Sequence, residues 1–131
     1  MDLLALIAAA ADVCRKPLRH GVVPVGADDA EPQSIHLDDL RLRLEARDPD
    51  GARQQLHDLE LEIYRSGADL NLMLGWWDQP DRPLLWQGQH PVWMDGSSGQ
   101  RCTAPSDGAP IEALARRLRA LLVGSLAQEG G

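Results

Sequence analysis

A short phrase occurs three times in this chain: an aspartate, then leucine, then further apolar residues at every second position. The copies begin at Asp39, Asp58 and Asp69 and read DLRLRL, DLELEI and DLNLML. Alternation of apolar and polar residues with a period of two places the apolar side chains on one face of a β-strand. Three copies in close succession therefore predict three neighbouring strands of one antiparallel sheet.

The charges within the first two copies predict how these strands pair. When Leu42 is set opposite Leu61, the basic residues Arg41 and Arg43 face acidic residues of the second copy. Opposite charges directly across an antiparallel pair stabilise it by about 0.2–1 kcal/mol each. This register produces one leucine face and one charged face.

A tight connection at Ser66-Gly67 predicts that the second and third copies form a hairpin. The predicted pairing across it sets Ile63 opposite Leu70 and Leu61 opposite Leu72. The apolar side chains of all three strands then share one face.

The same residues have an alternative interpretation as helices. Leu56, Leu59 and Ile63 suit one helix face, and leucine, arginine and glutamate are good helix formers. However, Leu61 would then point away from that face. Since the alternation and the complementary charges agree, we interpret residues 37–65 as strands.

The rest of the chain divides into segments around this sheet. With 131 residues the chain is long enough for a single domain, 1–131, with a modest core. Residues 2–16, rich in alanine and leucine, predict a helix that Pro17 ends, because proline lacks the backbone N–H. Residues 17–35 carry prolines, glycines and acidic residues and predict a connector, in which the valines near 22–25 suit a short strand.

The sheet is predicted to be a β-meander over residues 37–104, followed by a helix over residues 108–123. The predicted strands are 37–46, 54–65, 69–77, 83–87, 90–95 and 99–104. Leucines at helical spacing, Leu114 among them, share one face of that helix. Gly124 suits the position after the helix, and residues 125–131 predict a frayed tail. The predicted fold class is α+β: an antiparallel β-meander of five to six strands flanked by an N-terminal and a C-terminal helix.

Composition narrows the classes of function. The net charge is −7, whereas a nucleic-acid binder needs a basic surface for phosphates. This acidity also disfavours an anionic membrane surface, and the apolar run 3–11 is too short to span a bilayer and lacks the basic start of a signal peptide. Cys14 and Cys102 match no zinc or redox spacing and are expected to be reduced thiols. We therefore expect a cytoplasmic protein that binds neither nucleic acid nor membrane.

No motif for a cofactor, a metal ion or a catalytic nucleophile occurs in the sequence. The glycine- and serine-rich segment 96–99 suits a hairpin turn better than a phosphate loop. His90 with Asp95 or Asp78 is the only acid–base combination near the tryptophans, and the other histidines have no metal-ligand spacing. We expect no cofactor and no bound metal, and we favour a protein that is not an enzyme.

The aromatic residues are concentrated in one short stretch that holds all four tryptophans, while the chain has no Phe and one Tyr. Trp76 and Trp77 are adjacent, so they point to opposite faces of a regular strand. Trp76 continues the leucine face, and Trp77 lies on the other face with Met73. Two interpretations remain: the tryptophans fill the core, or Trp77 with Trp86 or Trp93 forms an exposed platform for a partner or ligand. Tryptophan is over-represented in binding hot spots.

The leading hypothesis is a non-enzymatic protein-interaction module, of the adaptor, chaperone or inhibitor kind, that binds another protein through the Trp-rich sheet face. The candidate binding residues are Met73, Trp77, Trp86, His90 and Trp93. A second copy of the chain is the alternative partner, giving a homodimer, because an uncovered sheet edge can pair with another strand. The alternative hypothesis is a small-molecule binding domain with a Trp/His-lined pocket under the C-terminal helix.

Overall fold

A computed structural model of the chain describes residues 3–25, 39–67, 69–79 and 81–130. Within these ranges the chain forms two α-helices, one six-stranded sheet and a single turn of 3-10 helix at Gln55–His57. The helices and strands are, in chain order, α1 (Leu3–Cys14), β1 (Arg19–Pro24), β2 (Asp39–Arg47), β3 (Leu59–Ser66), β4 (Asp69–Trp76), β5 (Leu84–Gln87), β6 (Pro91–Met94) and α2 (Ala109–Gly130).

The six strands follow one another in the order β1-β2-β3-β4-β5-β6, and every neighbouring pair is antiparallel. The α+β class and the β-meander are therefore confirmed. The register predicted from charge is also confirmed, since Leu42 lies opposite Leu61 and Arg43 lies opposite Glu60. The observed ion pairs run diagonally, however: Arg41 binds Glu60. Diagonal neighbours across two strands are within reach of such long side chains.

The predicted register of the β3–β4 hairpin is wrong by two residues. Ile63 lies opposite Leu72 rather than Leu70, and the hairpin closes at Ser66 opposite Asp69. The predicted pairing would place Ser66 and Gly67 between the strands, whereas in the observed one Ser66 belongs to β3 and Gly67 starts the connection with φ +64°, a value that favours glycine. Because the shift is an even number of residues, the leucines stay on the predicted face.

Two predicted assignments in the first half of the chain need correction. The connector 17–35 contains a full strand, β1, which pairs with β2 from Arg19 to Pro24; residues 26–35 of that connector lie outside the described residues. The strand predicted over 54–65 begins only at Leu59, because residues 55–57 form the 3-10 turn.

The second half of the chain differs from the prediction at two places. The strand predicted over 99–104 is reduced to a single bridge between Met94 and Arg101. Helix α2 runs through Gly124 to Gly130, so the predicted helix end and frayed tail are wrong. Glycine inside a helix costs only about 1 kcal/mol relative to alanine, and the residues after Gly124 continue the helix.

The core lies between the leucine face of the sheet and the two helices. Ile7 of α1 and Leu114 of α2 are fully buried against the sheet leucines. Each such side chain contributes about 1.5–3 kcal/mol through the removal of apolar surface from water. Since both helices pack on the leucine face, the alternate residues of the strands make up a second face, which we call the open face.

Candidate functional site

The open face changes character from one side of the sheet to the other. One row of directly paired residues crosses it from β2 to β6: Arg41, Glu62, Met73, Trp86 and Val92. The next row crosses from Arg43 and Glu60 on β2 and β3 to Leu84 and Met94 on β5 and β6. The open face is therefore charged on β2 and β3 and apolar on β4 to β6.

The apolar part of the open face, which we call the apolar patch, consists of five half-buried side chains: Met73, Leu84, Trp86, Val92 and Met94. The uncovered face of an antiparallel sheet is usually polar because it meets water. Leu84 folds over Gly75, where a Cβ atom would collide with its side chain. The patch is thus a continuous apolar surface on the side of the sheet opposite the core.

Trp86 is held in one orientation by its neighbours. Its indole Nε1 donates a hydrogen bond to the hydroxyl of Tyr64 at 2.7 Å. Its six-membered ring lies against Gly88, where a Cβ would come within 2.7 Å of the Trp86 Cη2 atom. Glycine is required at this position because any side chain would displace the ring. The indole is therefore fixed before any partner binds.

A cavity of about 310 Å³ opens beside Trp86 at this end of the sheet. The described residues that line it include Asn71, Trp86, His90, Val92 and Arg119. Arg119 reaches the site from α2 and donates a hydrogen bond to the carbonyl oxygen of Leu70 at 3.1 Å. The cavity is partly apolar and carries an imidazole and a guanidinium at its wall.

The five candidate residues from the sequence are not all brought together. Met73 and Trp86 lie side by side in the apolar patch, and His90 is exposed at the wall of the cavity. Trp77 is half-buried beneath the guanidinium of Arg43, whose central carbon lies 4.6 Å from the indole centroid.

Trp93 is placed differently from the exposed platform proposed for it. It pairs with Leu85 on the leucine face, is 5% exposed and belongs to the core. Its ring packs against Gly108 before α2, where a Cβ would lie 2.9 Å from the Trp93 Cζ2 atom. Trp93 and Trp76 therefore follow the core interpretation, whereas Trp86 and Trp77 lie on the open face.

A buried ion cluster around Asp58, which we call the Asp58 cluster, was not predicted from the sequence, because no local pattern marks it. The side chain of Asp58 is 0% exposed and accepts hydrogen bonds from Arg43 at 2.8 Å, from Arg53 at 2.8 Å and from the backbone N–H of Ala46 at 2.7 Å. Burial alone raises the pKa of Asp58, but the hydrogen bonds from Arg53, Ala46 and Arg43 outweigh it, so the pKa lies below its usual value. The cluster ties β2 to the segment before β3 and also holds Arg43 over Trp77.

The described part of the chain offers little acid–base chemistry. No carboxylate there forms a salt bridge or a hydrogen bond with His90, and the Asp95 carboxylate instead accepts hydrogen bonds from Ser97 and Ser98 in a turn. Within the described ranges, no group of three or more His, Cys, Asp or Glu residues is placed to hold a metal ion. Neither described helix is long and apolar enough to cross a membrane. The arrangement is suited to binding by apolar contact.

Comparison with known proteins identifies a family but no activity. No curated protein and no solved structure matches the chain. One family model matches residues 4–121, which include all of α1 but its first residue, the entire sheet and more than half of α2. The chain therefore belongs to the family described as a domain of unknown function, DUF8659.

Proposed function

We propose that this protein is a non-enzymatic interaction module that binds a segment of another protein on the apolar patch. The observation that carries the proposal is the position of that patch. The leucine face already holds the core against both helices, so the apolar side chains on the opposite face are not needed to build it. Contiguous apolar surface beyond the core is typical of sites for partners.

The rim of the patch indicates the chemistry of the partner. Glu62 lies directly opposite Met73 and is half-buried. Among the described residues, Glu60 has the cation Arg41 as its partner, while no cation lies within salt-bridge distance of Glu62. A small cavity of about 90 Å³ separates these acidic residues from Leu84. We therefore propose a partner segment that carries apolar side chains next to a lysine or arginine.

The rigid indole of Trp86 supports this function. Its hydrogen bond to Tyr64 and its contact with Gly88 hold it in place. A partner that packs on a fixed aromatic ring loses less conformational entropy than one that must first order it. Tryptophan and methionine are enriched in protein–protein interfaces for their large apolar contact area.

A displayed library of random peptides, selected against the folded protein, tests the proposal. We expect enriched peptides that combine apolar residues with lysine or arginine. Two variants that place a charge in the patch, Met73→Asp and Val92→Lys, should lose this binding. The matched control is Leu56→Lys, because Leu56 is 67% exposed and lies outside the patch; it should bind like the wild type.

The same variants distinguish the possible results. Peptides that bind Met73→Asp and Val92→Lys as tightly as the wild type would refute the proposed surface. Glu62→Gln should bind the enriched peptides but lose the preference for basic residues. A concentration-dependent dimer in light scattering that both patch variants abolish would instead make a second copy the partner.

The cavity beside Trp86 supports a second candidate function, the binding of a small molecule. Its volume of about 310 Å³ is at the lower end of the range for ligand sites, about 300–1,000 Å³. A compound screen that follows Trp86 fluorescence tests it. A ligand whose signal survives His90→Ala and Arg119→Met would not bind at this wall.

We further propose that the module acts in the cytoplasm. Cys14 and Cys102 are both free, as a reducing compartment would keep them. Cell fractionation with an antibody to the protein tests this location, and recovery in an extracellular or envelope fraction would refute it.

A further inference from the structure

A third cavity, of about 350 Å³, which we call the Arg15 cavity, lies where the end of α1, the 3-10 turn and the start of α2 meet. Its wall includes Arg15, Lys16, His57, Trp76 and Ile111, together with one carboxylate, that of Asp107. None of these residues belongs to the apolar patch, so the cavity is separate from the surface proposed to bind a protein. On a chain with a net charge of −7, the wall of this cavity carries more basic than acidic side chains.

Arg15 is the most buried of the basic residues that line this cavity. It is only 8% exposed, and its Nη1 atom lies 3.1 Å from the Nε2 atom of His20. The side chain of His20 is completely buried, and its Nδ1 atom lies 3.0 Å from a carboxylate oxygen of Asp12. Burial, more than any other cause, lowers the pKa of His20, so the imidazole is neutral: Nδ1–H donates to Asp12 and Nε2 accepts from Arg15. This chain of hydrogen bonds orients the guanidinium without neutralising it.

The carboxylates that attract Arg15, those of Asp58 and of Asp107 on the cavity wall, form their salt bridges with other arginines. Asp58 is bound by two other arginines, and Asp107 is bound by Arg82 at 2.6 Å. Within the described part of the chain, no carboxylate lies within salt-bridge distance of Arg15, whereas Asp58 and Asp107 attract it only through space. Burial lowers the pKa of Arg15 to about 10, so the group is still a cation at neutral pH.

A buried cation without an opposite charge is costly. The surroundings of the cavity suit a ligand that supplies this charge. Lys16 and His57 add basic groups at the wall, and the first turn of α2 begins there at Pro110, where a helix carries partial positive charge. Trp76 and Ile111 supply an apolar wall.

We propose that this cavity binds a small organic anion, whose carboxylate or phosphate group pairs with Arg15 and whose apolar part packs against Trp76. Arginine presents a planar fork of donors that matches both kinds of oxyanion. The neutral His20, held by Asp12, keeps this fork in position. The cavity has room for a molecule of about the size of a substituted benzoate or a small phosphate ester.

Thermal unfolding with three probes, inorganic phosphate, acetate and benzoate, tests the proposal. The comparison uses the wild type, Arg15→Met and Arg116→Gln; the last removes an exposed charge of α2 outside the cavity. A probe at ten times its dissociation constant should raise the wild-type Tm by roughly 5 °C. Arg116→Gln should show the same rise and Arg15→Met none. Benzoate should act at lower concentration than acetate, because only benzoate reaches the apolar wall.

The indole N–H resonances of the four tryptophans locate the binding. Titration should move the resonance of Trp76 and leave that of Trp86 in place. Equal rises of Tm in the wild type and Arg15→Met would reveal a general salt effect and overturn the proposal. Movement of Trp86 alone, or no movement with any probe, would overturn it as well, even if Arg15→Met fails to fold. If phosphate acts and benzoate does not, the ligand is a phosphate; the reverse result identifies a carboxylate.

Discussion

Two arginine sites in this protein differ in whether the chain itself supplies an opposite charge. In the Asp58 cluster, Arg43 and Arg53 both bind one buried carboxylate, with distances of 2.8 Å. In the cavity of about 350 Å³, Arg15 is 8% exposed and its hydrogen-bond partner is the neutral imidazole of His20. In the first site a carboxylate of the chain pairs with the arginines. In the second site the arginine has a neutral partner, and a ligand would supply the negative charge.

The difference indicates what each group contributes. Removing one member of a satisfied buried ion cluster leaves the others without compensation, and that is strongly destabilising. Removing a buried cation that lacks a counter-charge instead removes the free-energy cost of keeping that charge out of water. Substitutions in the two groups should therefore change the free energy of unfolding in opposite directions.

The largest effect is expected for Asp58→Asn, which removes the charge that both arginines share. We expect the free energy of unfolding at pH 7 to fall by about 3–5 kcal/mol, measured by urea denaturation. The variant should also lose acid sensitivity. Because the pKa of Asp58 is below its usual value, the wild type gains stability above that usual value and loses it as the pH falls through the lowered pKa.

The matched control for this first prediction is Asp50→Asn, since Asp50 is exposed in the turn after β2. It should change the free energy of unfolding by less than about 0.5 kcal/mol. Equal losses for Asp58→Asn and Asp50→Asn would show that the Asp58 cluster does not stabilise the fold.

The next largest effect is expected when either arginine of the Asp58 cluster is replaced. Arg53→Met and Arg43→Met should each lower the free energy of unfolding by about 1.5–3 kcal/mol, the range for hydrogen bonds to charged groups. The two changes should not add, because each arginine binds the same carboxylate. A double-mutant cycle in urea measures the coupling, and simple additivity would contradict a shared network.

Arg15→Met should have a smaller effect of opposite sign. We expect the free energy of unfolding without ligand to be unchanged or raised by up to about 2 kcal/mol. The long apolar side chain of methionine replaces the arginine stem, and no described carboxylate loses a salt bridge. Urea denaturation at low ionic strength measures the change. If Arg15→Met lowers the free energy of unfolding as much as Arg53→Met does, the predicted difference between the two arginine sites is wrong.

The smallest effect is expected for His20→Gln and should appear as a change of slope with pH. Burial lowers the pKa of His20 in the folded protein, so the unfolded chain binds a proton more readily. The wild type should therefore be most stable above about pH 6.5, the usual value for histidine, and lose stability as the pH falls toward the lowered pKa. The neighbouring charges of Asp12, Arg15 and Arg19 are kept in the variant.

Thermal unfolding between pH 7 and pH 5 measures this slope. His20→Gln should show a flatter profile than the wild type over that range. His57→Gln, which changes an exposed histidine, is the control and should keep the wild-type slope. An unchanged slope in His20→Gln would contradict the buried neutral imidazole that orients Arg15.

The strands show which structural features a local sequence pattern can predict. Alternation around Leu42, Leu61 and Leu72 predicted which side chains would be buried, because a strand presents successive residues to opposite faces. Charge predicted that Arg43 lies opposite Glu60. The β3–β4 register was missed because a shift of two residues leaves the faces unchanged, so the hydrophobic pattern cannot detect it.

The candidate site was predictable for the long strands and not for the short ones. The position of Met73 opposite Trp86 extends the alternation of β4 to its neighbour. Trp93 was misplaced because β6 has only four residues, Pro91–Met94, too few for a clear alternation. His90 lies in the connection before β6, where no periodicity applies.

The sequence by itself determined the local order of this protein: the strands that follow its three repeated phrases, their two faces and the two helices that cover one of them. These features depend on residues close together along the chain. Only the tertiary structure decided which charges meet. Every copy of the phrase begins with an aspartate, yet Asp58 is buried between two arginines whereas Asp69 is exposed. Arg15 lies near α2 because the fold brings the two helices together. Burial and Coulomb energy depend on such distances in space, which a one-dimensional pattern does not contain.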